Sequence, residues 1–428
     1  MPNVIEVLKE RGFIEAMTSD ELLQMTQNPI KVYCGFDPTA ESLHLGNLVA
    51  IMGLAWFQRF GHTPVAIVGG ATGMIGDPSG KTSERQLLDE QTLQQNIKGV
   101  RKNLETILDF NHPHTKAIIL NNFDWFKEFS FIQFLRDVGK SFRLGPMLAK
   151  DSVRARLNSE EGMSFTEFSY QLLQGYDFLH LYQTLGVSVQ LGGSDQWGNI
   201  TAGTDLIRKT LGKAAYGITF PLLTRSDGQK FGKSEQGAIW LSPEKLSAYE
   251  FYQYLVRIAD EDVIKLMRLL TFMDMEEIRK YETMMLKPDY APRTAQKRLA
   301  EEITNMIHGP VGLQTALKVT AAAAPGQQAT LDEQTLESIA ADMPNSTMRA
   351  DEVINQKLVD VLVQVGLQPS KGEAKRLIRN GGVYINNEKV DDENLSIQAS
   401  QLIGSKLILL AAGKKNKMLI RLTETGKK

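Results

Sequence analysis

Cysteine is nearly absent from this sequence, since Cys34 is the only one among 428 residues. A single cysteine excludes a disulfide framework and a thiolate metal cluster. Apolar runs long enough to span a bilayer are also missing, and residues 1–16 show the pattern of a charged amphipathic helix rather than the apolar core of a signal peptide. We therefore expect a cytoplasmic protein.

A strong net charge is missing as well, because 48 Lys and Arg stand against 50 Asp and Glu. The balance hides an asymmetry, since residues 351–428 hold 13 Lys and Arg but only 9 Asp and Glu. A basic tail on an acidic body suggests nucleic acid as a partner. The rest of the composition, with 42% hydrophobic and 23% charged residues, is that of a globular protein long enough for two or three domains.

The most informative stretch covers residues 32–47, VYCGFDPTAESLHLGN. A β-favouring run ends near Gly35, a turn follows, and a helical pattern begins after Asn47. A strand that leads into a helix start leaves backbone N–H groups facing outward, which suits a phosphate. His44 and Asn47 would share one face of the helix, and Gly46 lets a large flat group approach. Taken alone, the pattern also fits a capped helix with a surface histidine.

Strand and helix patterns alternate along the first half of the chain. Further strand candidates cover 64–70, 117–120 and 187–191, and helices are indicated at 92–108 and 165–182. The alternation predicts an α/β fold with a Rossmann-like, doubly wound parallel sheet. Because these strands run into glycine and polar residues, we expect a ligand cleft at their carboxyl ends.

Two further stretches carry polar residues in suggestive patterns. Tyr170, Gln174 and Asp177 are spaced i, i+4, i+7 on one helix face, where they either point at solvent or surround a polar ligand. Lys230 and Lys233 lie three apart in a glycine-containing loop. Two such lysines can neutralise a polyphosphate, and an exposed basic loop is the alternative.

Residues 125–162 form an excursion too long for a simple strand crossover. Its many apolar residues indicate either internal core or a surface that contacts another subunit, because leaving them in water would be costly. The pattern does not decide between the two.

The C-terminal tail reads as two short helices followed by strands. Four basic residues fall largely along one face of the second helix, where they would follow a phosphate backbone or form a solvated surface. They are Lys371, Lys375, Arg376 and Arg379.

These stretches together resemble bacterial-type tyrosyl-tRNA synthetases, which are class I aminoacyl-tRNA synthetases, over essentially the full length of the chain. Residues 44–47, HLGN, resemble the HIGH signature, and residues 230–234, KFGKS, resemble the KMSKS signature. Blocks similar to those of the family occur at 33–39, 69–78, 164–170 and 192–201, and the tail resembles the alpha-L RNA-binding module. One departure is Asn47, which replaces the second histidine of the HIGH pattern, although its amide still offers a hydrogen-bond donor.

The resemblance implies attack of the tyrosine carboxylate on the α-phosphorus of ATP, followed by transfer of tyrosine to tRNA(Tyr). It implies ATP as a substrate with Mg²⁺ and no tightly bound metal. The implied catalytic residues are His44, Asn47, Lys230, Lys233 and Ser234. The implied tyrosine-binding residues are Tyr33, Asp77, Tyr170, Gln174 and Asp177. Residues implied at ATP and the adenylate are Gly35, Asp37, Thr39, His44, Gly46, Asn47, Gln190, Asp195, Gln196, Lys230 and Lys233.

The resemblance also implies a homodimer and a domain order. We expect a catalytic domain over 1–220 with its dimerisation segment at about 125–162, an α-helical domain over 221–320, a linker over 321–350, and a small α+β alpha-L-type RNA-binding domain over 351–428. The competing hypotheses are a tryptophanyl-tRNA synthetase, a non-catalytic RNA-binding protein on the same scaffold, and a small nucleotidyltransferase. Tyr33 with Asp177 favours a phenol over an indole, and the other two leave either the substrate residues or the tail unexplained.

Overall fold

The structure is a computed structural model of the chain that describes residues 3–80, 88–160, 162–234, 237–322, 332–340, 343–413 and 416–423. The chain divides into two compact units. The first comprises Met1–Lys245 and Arg257–Ile307, and the second comprises Leu246–Val256 and His308–Lys428. The finer division at residues 220, 320 and 350 stays a prediction. Within the described part of the chain, every helix is too short or too polar to cross a lipid bilayer.

A six-stranded sheet forms the centre of the first unit. Its strands are β1 (Ala16–Met17), β2 (Lys31–Phe36), β3 (Thr63–Val68), β4 (Ile118–Asn121), β5 (Val187–Gly193) and β6 (Tyr216–Phe220). They lie in the order β1-β6-β5-β2-β3-β4, and all neighbours pair in parallel except the short β1, which is antiparallel to β6. The prediction of an α/β fold with a doubly wound parallel sheet is confirmed.

The order of the strands reverses between β2 and β5. From β2 the chain continues to β3 and β4 on one side, whereas β5 and β6 lie on the other. In open α/β sheets, ligands bind outside the carboxyl ends of the strands at such a reversal. In register terms, Tyr33 on β2 lies between Val65 on β3 and Gln190 on β5. The topology therefore places the candidate cleft where the sequence predicted it.

Helices cover both faces of this sheet and continue into the second unit. They are α1 (Val4–Glu10), α2 (Leu22–Met25), α3 (Leu48–Arg59), α4 (Thr72–Ile75), α5 (Glu90–Ile107), α6 (Phe123–Phe126), α7 (Phe131–Asp137), α8 (Leu144–Leu148), α9 (Asp151–Leu157), α10 (Phe165–Leu185), α11 (Trp197–Leu211), α12 (Ala248–Val256), α13 (Asp260–Leu270), α14 (Met275–Met285), α15 (Thr294–Ala322), α16 (Glu333–Ala340), α17 (Ala350–Val353), α18 (Leu358–Gln364) and α19 (Lys371–Arg379). The helix α10 begins at Ser164, whose side chain accepts a hydrogen bond from the Glu167 N–H, a favourable N-cap. The helix predicted over residues 1–16 is shorter than expected and is followed by β1.

The excursion at 125–162 divides its apolar residues between the core and the solvent-exposed surface. Phe134 and Phe142 pack against the core around Tyr33 and Phe178. Other large apolar side chains of this region are exposed, namely Phe131, Ile132, Leu135, Leu144, Leu148 and Leu157. Exposed apolar residues in such numbers are unusual for an isolated subunit.

A buried ion pair ties α9 to α10. Arg156 and Glu167 are each only 2% exposed, and their side chains meet at 3.1 Å. Arg156 also donates a hydrogen bond to the Gly162 carbonyl at 2.9 Å. Removing either partner alone would strongly destabilise the fold, because it would leave an uncompensated buried charge.

The remaining strands are β7 (Lys233–Ser234), β8 (Gly237–Ala238), β9 (Asn345–Arg349), β10 (Val383–Ile385), β11 (Glu388–Val390), β12 (Leu407–Ala412) and β13 (Asn416–Thr423). In the second unit, five of them form a sheet in the order β11-β10-β12-β13-β9. One face of this sheet packs against α17, α18 and α19. The other face, with Leu409 and Leu419, packs against Tyr249 of α12, Val319 of α15 and Leu336 of α16.

The described part of residues 321–350, where we predicted a linker, includes buried helix and strand residues. This part contains α16, β9 and the start of α17, and both Leu336 and Met343 are buried. The local composition is poor in apolar residues, so it gave no sign of a core element. The partners that bury these residues come from distant sequence, such as Tyr249 and Leu409.

Candidate active site

A cavity of about 420 Å³ in the first unit opens at the carboxyl ends of β2 and β5. The predicted active-site residues line it wherever their side chains are described. The side chains of Lys233 and Ser234 lie outside the described part of the chain. Those two residues form β7, which pairs with β8 in a hairpin. The lining residues that the sequence predicted are Tyr33, Gly35, Asp37, Thr39, His44, Gly46, Asn47, Asp77, Tyr170, Gln174, Asp177, Gln190, Asp195, Gln196 and Lys230.

The HLGN stretch forms a tight helical turn at the start of α3. Asn47 accepts a hydrogen bond from the His44 backbone N–H through Oδ1, at 3.1 Å. The His44 Nδ1 accepts one from the Gly46 N–H, also at 3.1 Å. A neutral His44 ring must therefore carry its proton on Nε2, and the Asn47 amide group Nδ2 is the donor that remains for a ligand.

Gly46 has no room for a side chain in this turn. A Cβ there would lie 2.9 Å from His44 Cε1 and 3.5 Å from the Phe231 carbonyl oxygen. The 3.5 Å distance to Phe231 is an ordinary contact. A Cβ at Gly232, in contrast, would lie only 2.8 Å from the Gly46 backbone nitrogen, so Gly232 is the glycine that lets this loop approach the His44 turn. This contact brings the two stretches that resemble the class I signatures side by side.

Asp177 and Tyr33 form one polar end of the cavity. The carboxylate accepts hydrogen bonds from Trp125 Nε1 at 2.9 Å and from Asn122 Nδ2 at 3.1 Å. Burial raises the pKa of Asp177 to about 8, and the two hydrogen bonds oppose that rise. Burial also raises the pKa of Tyr33 well above its ordinary value, so its phenol stays protonated.

The other polar end is built from carboxylates and amides. Tyr170 donates to Asp37 Oδ2 at 2.8 Å, and burial keeps the pKa of Tyr170 well above 10. Gln196 donates to Asp77 Oδ2 at 2.7 Å and accepts from Gln174 Nε2 at 3.2 Å. Because Asp37 and Asp77 both lie here, this end suits a cationic group.

Three buried polar atoms in the cavity have no hydrogen-bond partner among the described residues. They are Tyr33 Oη, Gln174 Oε1 and Gln190 Oε1. A buried polar atom without a partner costs about 1–3 kcal/mol, and most buried polar atoms in folded proteins are paired. Three such atoms in one cavity indicate that it is shaped for a polar ligand.

Lys230 lies at the rim of the cavity. Its Nζ donates to the Gly80 carbonyl at 3.3 Å, and the side chain is exposed. The hairpin that follows it includes Lys233 in β7. A lysine at the rim can reach a phosphate chain that extends out of the cavity.

Comparisons with known proteins agree with this geometry. Residues 25–323 match the family described as tRNA synthetases class I (W and Y), and residues 335–420 match the tyrosine--tRNA ligase SYY-like C-terminal domain. The tyrosine--tRNA ligase of Protochlamydia amoebophila is 72% identical, and the match covers 99% of this chain and 100% of the relative. The chain belongs to the class I tyrosyl-tRNA synthetase family. The chloroplastic/mitochondrial tyrosine--tRNA ligase of Arabidopsis thaliana is 52% identical, with 99% of this chain and 84% of the relative covered.

Solved structures of tyrosyl-tRNA synthetases share the fold. A C-terminally truncated mitochondrial enzyme from Coccidioides posadasii has a TM-score of 0.65 at 33% identity, covering 74% of this chain and 92% of that one. A tryptophanyl-tRNA synthetase from Plasmodium falciparum has a TM-score of 0.54 at 12% identity, covering 78% and 87%, which shows the fold alone. The family and the tyrosine specificity predicted from the sequence are both confirmed, and the tryptophan alternative is not favoured.

Sequence reasoning missed two residues of this tyrosyl-tRNA synthetase site. Asn122 and Trp125 hold Asp177 by hydrogen bonds, although they lie 55 and 52 positions away in the chain. Trp125 in turn stacks on His180, with ring centroids 4.5 Å apart. The only signal in the sequence was polar Asn121-Asn122 directly after a strand, the position where cleft residues are expected.

The predicted RNA-binding residues lie on α19, within the region that matches the family's C-terminal domain. Three of them are exposed and paired, since Lys371 meets Asp360 at 3.0 Å, Arg376 meets Glu373 at 3.7 Å and Arg379 meets Glu393 at 2.6 Å. Lys375 is half-buried on the same helix. Surface ion pairs contribute little to stability, so these basic side chains could give up their carboxylate partners for phosphate groups at little cost.

Proposed function

We propose that this chain joins L-tyrosine to tRNA(Tyr) in two steps, using ATP and forming a tyrosyl-adenylate intermediate. The observation that carries the proposal is the cavity with two polar ends and three unmatched buried polar atoms. One end offers Tyr33 and Asp177, and the other offers carboxylates suited to an ammonium group. Free tyrosine matches this arrangement, because its phenol hydroxyl lies at one end of a flat apolar ring and its ammonium and carboxylate groups lie at the other.

The phenol of tyrosine would lie between Tyr33 and Asp177. Its hydroxyl would donate to a carboxyl oxygen of Asp177 and accept from Tyr33 Oη, giving that buried atom the partner it lacks. Phenylalanine would leave these buried groups unpaired and would be rejected strongly for that reason.

The ammonium group of tyrosine would lie among Asp77, Tyr170 and Gln174. Gln174 Oε1 is one of the unmatched buried acceptors, and an ammonium has three donors. Gln190, Gln196 and Asp37 would lie close to the tyrosine carboxylate and the α-phosphate. A substrate held at both ends is held in one orientation, which lowers the entropic part of the barrier.

In the first step a tyrosine carboxylate oxygen attacks the α-phosphorus of ATP, and the bond from that phosphorus to the bridging oxygen of pyrophosphate breaks. No proton moves, so the residues act through position and charge. His44 and Asn47 would donate hydrogen bonds to the phosphate chain from the start of α3, whereas Lys230, Lys233 and Ser234 would stabilise the departing pyrophosphate. In the second step a hydroxyl oxygen of the terminal tRNA ribose attacks the acyl carbon, the bond from that carbon to the phosphate oxygen of AMP breaks, and AMP leaves with release of the hydroxyl proton.

The nucleotide site would comprise Gly35, Thr39, Gly46 and Asp195 in addition to these groups. Mg²⁺ would come with the ATP and balance the charge of its phosphates. Among the described residues there is no cluster of three or more His, Cys, Asp and Glu side chains suited to a metal.

We further propose that the protein acts as a cytoplasmic homodimer that contacts tRNA through α19. The exposed apolar residues around Phe131, Ile132 and Leu144 support a subunit interface in the excursion at 125–162. The exposed basic residues Lys371, Arg376 and Arg379, with Lys375 beside them, support the tRNA contact.

The test is ATP–pyrophosphate exchange, without tRNA, driven by tyrosine, phenylalanine or tryptophan. We expect exchange with tyrosine alone, and a loss of at least tenfold in kcat for Lys230→Ala. The matched control is Lys213→Ala, because Lys213 is exposed and does not line the cavity. Exchange driven by tryptophan, or by none of the three in a folded sample with Mg²⁺, would overturn the proposal.

A further inference from the structure

A chain of hydrogen bonds connects the two polar ends of the cavity through the protein. Tyr170 and Thr72 both donate to Asp37, at 2.8 Å to Oδ2 and 2.7 Å to Oδ1. Asn122 Nδ2 donates to Thr72 Oγ1 at 3.0 Å and to Asp177 Oδ2 at 3.1 Å. The carboxylates of Asp37 and Asp177 are therefore linked by one hydroxyl and one amide.

The direction of each bond in this chain is fixed by its neighbours. Asn122 Oδ1 accepts from the Ala71 backbone N–H at 2.8 Å, so the other end of the amide must be the donor. Thr72 accepts from that donor with its hydroxyl oxygen and therefore gives its single proton to Asp37. Neither partner has an alternative arrangement that keeps all the bonds.

The residues that form this chain of hydrogen bonds are also buried and tightly packed. Thr72 is 3% exposed and Asn122 is 1% exposed. A Cβ at Gly69 would lie 2.1 Å from Asp37 Oδ1 and 2.3 Å from Thr72 Oγ1, so the glycine is what allows this hydroxyl and carboxylate to meet beside the backbone. Hydrogen bonds are strong in a buried site of low dielectric constant, and a polar group that loses its partner there destabilises the protein.

We propose that Thr72 is a positioning residue that couples recognition of the two ends of tyrosine. This proposal rests on the proposed function, which places the phenol at Asp177 and the ammonium beside Tyr170, whose hydroxyl donates to Asp37. Without the hydroxyl, Asp37 loses a donor and Asn122 loses an acceptor. The Asn122 side chain then keeps only its hydrogen bonds to the Ala71 N–H and to Asp177, so its amide is positioned less firmly against Asp177 and a change near the ammonium end alters selection at the phenol end.

The test compares Thr72→Val, which removes the hydroxyl at nearly constant volume, with Thr72→Ser, which keeps it. In tyrosine-dependent ATP–pyrophosphate exchange we expect Thr72→Val to raise the KM for tyrosine about tenfold, with the KM for ATP changed by less than about threefold. The decisive readout is the ratio of kcat/KM for tyrosine to that for phenylalanine. It should fall about fivefold or more in Thr72→Val and return close to the parent value in Thr72→Ser.

A control threonine separates positioning from general loss of structure. Thr271 is fully buried in the same unit, where its hydroxyl donates to the Met267 carbonyl and accepts from the Met273 N–H, away from the cavity; Thr271→Val should therefore leave the ratio unchanged. A higher KM for tyrosine with an unchanged ratio in Thr72→Val would overturn the coupling. Should that variant not fold, Thr72→Ala serves the same comparison. Absence of tyrosine-dependent exchange in the parent chain would instead overturn the proposed function.

Discussion

Tyr33→Phe should change stability and substrate binding in opposite directions. The phenol oxygen of Tyr33 is buried and has no partner among the described residues, so the unliganded chain carries the cost of desolvating it. That cost is about 1–3 kcal/mol, and phenylalanine removes it while filling nearly the same volume. The free energy of unfolding should therefore stay equal or rise, which corresponds to an increase in Tm of up to a few degrees.

Tyrosine binding should weaken in the same variant. The substrate hydroxyl loses one neutral hydrogen bond, worth about 0.5–1.5 kcal/mol, which raises the dissociation constant about 2- to 13-fold. The KM for ATP should not change, since the phenol end lies away from the nucleotide residues. Thermal unfolding without ligand and equilibrium binding of tyrosine measure the two effects separately.

Tyr170→Phe provides the matched comparison. The hydroxyl of Tyr170 donates to the Asp37 carboxylate at 2.8 Å, so removing it takes a bond to a charged group from the unliganded protein. We expect about 1.5–3 kcal/mol of destabilisation. The contrary outcome is that Tyr33→Phe lowers Tm as much as Tyr170→Phe does and leaves tyrosine affinity unchanged. That result would refute the inference that the Tyr33 hydroxyl is unpaired without ligand and is paired by the substrate.

Three further predictions concern charge. Burial raises the pKa of Asp177 from 3.8 to about 8, so between about pH 4 and 8 the folded chain holds a proton that the unfolded chain has released. The free energy of unfolding should therefore fall as the pH rises through this range. Asp177→Asn should flatten this dependence of the unfolding free energy on pH, measured by urea unfolding. An unchanged slope would contradict the assignment. Arg156→Met should lower the free energy of unfolding by about 3–5 kcal/mol, and adding Glu167→Met should restore most of that loss, as measured by thermal unfolding. If the single and double variants are equally unstable, the loss does not come from an uncompensated buried charge. Lys233→Ala should slow adenylate formation far more than it weakens tyrosine binding, and equal loss of both in single-turnover kinetics would refute its role at the leaving group.

The sequence predicted the central features of the site because their signals are local. The β-favouring run before Gly35 and the helical pattern after Asn47 correspond to β2 and α3. The spacing of Tyr170, Gln174 and Asp177 depends only on helix geometry, and all three line the cavity. Here the pattern and the structure depend on the same few neighbouring residues.

Other features depend on distant contacts, and the sequence did not reveal them. The hydrogen bonds from Asn122 and Trp125 to Asp177 join segments more than 50 positions apart. The helix α16 owes its burial to Tyr249 and Leu409, so its own weak apolar pattern suggested a linker. The apolar residues of the excursion at 125–162 divided between core and surface, a division that periodicity does not specify.

The helix α10 also fixes a length. Tyr170 and Asp177 are seven positions apart, and at 1.5 Å per residue the two positions lie about 10.5 Å apart along the axis. One inserted residue between them would turn the second position by about 100° and remove it from the cavity. Changes in chain length should therefore be tolerated before Ser164 or after Leu185, whereas between Tyr170 and Asp177 even one would abolish selection of the amino acid.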